Sequence, residues 1–190
     1  MPRQPEYTPE ELATELDRQG AQAQTLTVGL SEAALNWQPH GGKSWSIVQC
    51  LDHLTTMNAI YLKALQAAVE SNRDQLEPRK VPIQASGWLM RLVVSYEEPP
   101  PKIRLPAPKK ISPPSRLTGA VIGDFEALQK QLADFVHEWG DADLGDLRVR
   151  DPLFPMHLTV DTELLIIAAH NRRHLWQAEN VKMNPGFPGG

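Results

Sequence analysis

Two stretches of the chain carry residue types that could do metal chemistry. One is "HNRRHLWQ", residues 170–177, with His170 and His174 four apart. The other is "SWSIVQCLDH", which ends on His53. In a helix, residues four apart share a face one turn apart, so His170 and His174 would point the same way. Neutral imidazole is the commonest side-chain ligand for zinc- and nickel-like ions. Two ligands from one helix and a third from another would make a three-histidine site. Such a site leaves positions open for water or substrate, as catalytic metals do and structural ones do not. The plainer reading stands beside it. An inward histidine is commonly a hydrogen-bonded core residue, and two on one helix could be that twice.

Other constellations fail on residue type. A zincin would need glutamate after the first histidine, where Asn171 stands. A di-iron bundle would need Glu-x-x-His pairs, and the chain has none. One cysteine, Cys50, rules out a cysteine-rich zinc site and an intrachain disulfide. No phosphate-binding glycine loop is present.

Four helical patterns must position these histidines. The first runs from about residue 9 to 29, with a Thr8–Glu11 capping box, Pro9 at the first turn and a seam of Leu12, Leu16, Gln19, Ala23, Leu26 and Leu30. The second starts at Ser46, with Gln49 completing a capping box. Its seam reads Ser46, Cys50, His53, Met57, Ile60, Ala64 and Ala67, which turns His53 inward. The third, from about 116 to 139, carries Val121, Phe125, Leu128, Leu132, Phe135 and Trp139. The fourth, from about 160 to 182, carries Glu163, Ile167, His170, His174, Gln177 and Val181. Between the second and third, residues 74–114 hold nine of the seventeen prolines. One short helix fits around 86–97; the rest should be extended. No segment alternates strongly enough to predict a sheet. The expected fold is all-α: a four-helix bundle in one domain, 1–190, with short 1–2 and 3–4 links and a long proline-rich crossover. That crossover gives an up-down-down-up order.

The totals narrow the function. A net charge of −4 lacks the basic excess of a nucleic-acid binder. No apolar run reaches membrane-spanning length. The start of the chain reads as no signal peptide, so a cytoplasmic location is expected.

Neighbouring residues have two readings each. Gln177 could orient a ligand or a bound water, or simply bond a neighbouring helix. Glu163 could serve as a base near the site, but an acid in the first turn also suits the helix dipole, and that reading is preferred. Cys50 could be a thiolate ligand; a small buried apolar residue is the preferred role. Arg172 and Arg173 should leave the histidine face, with Arg173 pairing a carboxylate on a neighbouring helix. His40, His137 and His157 are read as surface residues. Trp176 should point away from the histidines, toward a subunit interface. Lys102, Arg104, Lys109 and Lys110 could guide an anionic cosubstrate, with a solvated loop as the default.

"GKSWSIVQCLDHLTTMNAIYL" and "HNRRHLWQ" together resemble the two helix signatures of the DinB/YfiT-like superfamily, and the likeness extends over "LSEAALNWQP", the proline-rich crossover and "DPLFPMHLTVDTELL". The resemblance implies that His53, His170 and His174 are metal ligands, that the bundle is up-down-down-up, and that homodimers form. It implies a divalent metal, nickel or zinc foremost. The activities it suggests are metal-dependent thiol S-transfer to small electrophiles, thiol-dependent isomerisation or metal-dependent hydrolysis, with a non-catalytic metal-binding stress-response protein as the other class. Gln49 departs from the pattern, in which glutamate is frequent one turn before the histidine.

Overall fold

The computed structural model describes residues 6–101 and 107–188. It is mostly helical. Long helices α1 (Pro9–Thr27), α4 (Ile47–Asn72), α6 (Ala120–Trp139) and α7 (Val160–Lys182) are joined by one-turn helices α2 (Glu32–Leu35) and α3 (Pro39–Gly42) and by α5 (Gly87–Glu97). The first two long helices begin as their cap residues dictate. The Thr8 side chain accepts from the Glu11 N–H while the Glu11 carboxylate accepts from Thr8 N–H; Ser46 and Gln49 do the same for α4. Each such box satisfies two backbone donors that a helix start would otherwise leave unpaired. Before α4 the chain reverses through His40, Gly41 and Gly42 at φ of 56°, 65° and 87°. Two glycines in that run take a left-handed conformation at little steric cost.

Helix α1 packs on α6, α6 on α4, α4 on α7, and α7 back on α1; α5 lies against α7. Two apolar clusters fill the space. Leu12, Leu16, Leu65, Leu132, Phe135 and Leu164 belong to one. Leu51, Leu54, Phe125 and Leu175 belong to the other. The expected seams of α1 and α6 are buried apart from their last residues, Leu30 and Trp139, which are partly exposed. In α4 the seam departs after Met57: Ile60 and Ala64 are half-buried, Ala67 is exposed, and Tyr61, Leu65 and Val69 take the core. Alternating four–three steps have a period of 3.5, and a straight helix drifts about 20° per heptad from it.

Four buried amides cross the core. Asn171 on α7 donates to Gln19 Oε1 on α1 (2.8 Å) and to Gln129 Oε1 on α6 (2.9 Å), and accepts from Asn58 Nδ2 on α4 (2.9 Å). This network fixes the rotation of α7 beside the site, because a turned helix would leave buried polar groups unpaired at about 1–3 kcal/mol each.

Two expectations need correction. A sheet is present: β1 (Arg148–Arg150) pairs antiparallel with β2 (His157–Thr159), Val149 opposite Leu158. Strands of three residues are too short for alternation to register in sequence. The third helix starts at Ala120, not near 116. The short helix expected at 86–97 is α5. Of the crossover cations, Lys109 and Lys110 are exposed on a 3₁₀ turn, while Lys102 and Arg104 lie outside the described residues. No helix among the described residues is long and apolar enough to cross a membrane.

Candidate metal centre

His53 comes from the second turn of α4, His170 and His174 from the middle of α7. The three rings meet with centroids 4.5–5.3 Å apart. One ring nitrogen from each lies within 4.8 Å of the others. His53 and His174 are buried, His170 partly so.

The outer nitrogens are all tied to acceptors. His53 Nδ1 donates to the Ile111 carbonyl (2.8 Å), His170 Nδ1 to Glu97 Oε2 (2.8 Å) and His174 Nδ1 to Gln177 Oε1 (3.0 Å). Those oxygens can only accept, so each Nδ1 carries the hydrogen, and in a neutral ring Nε2 then has its lone pair free. Nε2 of His53 and Nε2 of His170 stand 3.1 Å apart. Two bare lone pairs at that distance repel unless a cation or proton lies between them. Two nitrogens bound to one tetrahedral zinc would be about 3.3 Å apart, from Zn–N lengths of about 2.05 Å. The donor set, its spacing and its anchored outer nitrogens therefore fit a divalent ion.

Electrostatics favour the metal-ready form. Burial holds the His53 imidazole down at about 4, with the Ile111 carbonyl opposing and His170 reinforcing. Burial also depresses His174, helped by its two histidine neighbours. Both rings thus stay neutral at pH 7 and present lone pairs. Burial alone would raise Glu97, but its hydrogen bond with His170 and the charge of Arg173 outweigh it, and the carboxyl is held below its usual value. Trp45 packs against two of the three rings, centred 4.8 Å from His53 and 5.5 Å from His174.

Helix α5 is bound to α7 through its acidic end. Glu97 receives His170 and Arg173, and Glu98 takes Arg172 in a two-pronged pair (2.5 and 2.9 Å). Arg172 also reaches Glu15 on α1 at 2.8 Å. The pairing expected for Arg173 is therefore present. Beside His174 opens a cavity of about 540 Å³ whose wall includes Trp45, Trp176 and Gln177.

Not every expected neighbour joins the trio. Gln177 orients His174 directly. Glu163 does not reach it: seven residues separate it from His170, about 10.5 Å along the helix. It is fully buried, neither carboxyl oxygen has a hydrogen-bond partner among the described residues, and burial and nearby Asp151 push it up to about 8. It is no simple solvated dipole partner. Cys50 is buried and outside the cluster, and burial raises its thiol, so the apolar role fits. Gln49 is occupied as a cap residue, accepting from Gln38 and donating to the Pro114 carbonyl. His40, His137 and His157 are exposed. Trp176 departs from expectation, since it lines the cavity that contains His174; one residue step of about 100° from Leu175 and Gln177 still reaches a wide opening.

Sequence reasoning missed Glu97, the Ile111 carbonyl, Trp45 against the rings, and the Asn58–Gln129–Asn171 amides. Glu97 and Glu98 did leave a signal: an acidic pair at a helix C-terminus opposes the dipole and calls for cations.

A family model described as the DinB superfamily matches residues 15–178. No curated protein and no solved structure matches the chain.

Proposed function

The chain belongs to the DinB superfamily, and from that premise we propose that it is a metal-dependent thiol S-transferase acting on small electrophiles, with nickel or zinc held by His53, His170 and His174. The observation that supports this reading is the set of three anchored Nδ1–H groups, which leaves Nε2 of His53 and His170 facing each other at 3.1 Å beside the His174 ring. A divalent ion bound there would lower the pKa of a coordinated thiol and make a nucleophile at neutral pH.

The protein's own groups support the chemistry in three ways. Ile111, Glu97 and Gln177 fix the ring orientations, so little reorganisation accompanies ligand exchange. Glu97 adds negative charge behind His170, and its pairing with Arg173 holds it there. Trp45 limits water at the histidines, and the neighbouring cavity admits a substrate. Transfer is favoured over hydrolysis because no carboxylate among the described residues lines that cavity to act as a base for water, and Glu163 is sealed in the core.

The same reading takes 1–190 as one domain, an up-down-down-up four-helix bundle in the cytoplasm. It also takes the protein as a homodimer. Trp88, Leu89, Leu92 and Tyr96 give α5 an exposed apolar stripe, a surface suited to a second copy.

The test is elemental analysis of purified protein, followed by assays of small thiols against panels of electrophiles, esters and amides. Near-stoichiometric metal and thiol-dependent conjugation, both lost in His170→Ala, are expected. Hydrolysis without thiol would replace transfer as the activity; full metal occupancy with no turnover would leave a non-catalytic metal protein.

A further inference from the structure

We propose that the cavity beside His174 binds an organic anion with a flat apolar body, the charged group at Lys43 and the ring against Trp45 and Trp176. Three observations carry this. First, the volume of about 540 Å³ suits a small organic molecule. Second, the wall has two tryptophans with Pro39, Pro101 and Val181 on one hand, and Lys43 and Arg173 on the other. Aromatic faces give such a body contact area with little loss of side-chain freedom. Third, no Asp or Glu among the described residues lines the cavity, although the chain has 23 acids against 19 Lys and Arg. A neutral or cationic ligand would gain nothing from that bias; an anion would.

Lys43 is the better seat for the charge. Arg173 already shares its charge with Glu97 at 3.2 Å. Lys43 is exposed and enters none of the ion pairs among the described residues. The left-handed run His40–Gly41–Gly42 directly before it sets it at the rim. The inference deepens the transferase reading and rests on it only in taking the ligand to be that reaction's substrate.

The test uses full-length, metal-loaded protein and two fluorescent probes of similar shape: 8-anilino-1-naphthalenesulfonate, an anion, and N-phenyl-1-naphthylamine, which lacks the sulfonate. Titrations follow probe emission, without thiol or turnover. Lys43→Glu should weaken the sulfonate about tenfold through charge reversal and leave the neutral probe within twofold. Trp176→Ala should weaken both. In His170→Ala protein the sulfonate should still bind and still respond to Lys43→Glu. An unchanged sulfonate affinity in Lys43→Glu, equal weakening of both probes there, or loss of sulfonate binding in His170→Ala would each overturn the proposal. Because no conjugation is measured, a failed transferase assay with intact discrimination between probes rejects the reaction and keeps the site.

Discussion

Glu163 should make the protein lose stability as pH rises, and Glu163→Gln should remove that loss. The carboxyl is fully buried, has no hydrogen-bond partner among the described residues, and faces the field of Asp151, itself held by the Tyr61 hydroxyl and the Leu153 and Phe154 N–H groups. Burial first, then Asp151, raises it from 4.5 to about 8. Between those values an unfolded chain ionises Glu163 while the folded chain keeps it protonated. Folding then takes up a proton, so stability falls with pH across this window. Integrating that difference from pH 5 to pH 8 gives about 3.5 kcal/mol. Glutamine has the same shape and no charge to suppress. The assay is urea unfolding of both proteins, stripped of metal with a chelator, at several pH values; histidine titration then cancels in the difference. The variant should gain on the wild type by about 3.5 kcal/mol between pH 5 and pH 8. A difference that stays flat with pH would show that Glu163 ionises normally in the folded protein, and the reasoning from its burial would be wrong.

Three further outcomes are expected. Glu97→Gln keeps an acceptor for His170 but removes charge behind it, and should weaken metal affinity about 10-fold or more, read by competition with a chelating dye. Leu132→Ala, at a fully buried position of α6, should cost about 2–5 kcal/mol in denaturant unfolding; an unchanged midpoint would contradict its burial. If α5 forms the subunit interface, Trp88→Glu should convert a dimer to a monomer of 21.2 kDa in sedimentation, whereas a wild type that is already monomeric removes the homodimer from the proposal.

The sequence by itself determined the long helices and singled out three histidines that the fold brings together. Caps such as Thr8–Glu11 and Ser46–Gln49 act within three residues, and the i, i+4 pair on α7 is set by the helical repeat, so both are legible locally. His53 could be joined to that pair because two periodic seams turned them inward, and because the paired motifs resembled one family. Only the tertiary structure decided what holds the rings. Ile111 lies 58 residues from His53, and Glu97 lies 73 from His170. No periodicity encodes such distances. The hairpin, the shift of the α4 core face to Tyr61, Leu65 and Val69, and the isolation of Glu163 are of the same kind. Each depends on which other element fills the space beside it, and a side chain's burial and charge state are properties of that shared space.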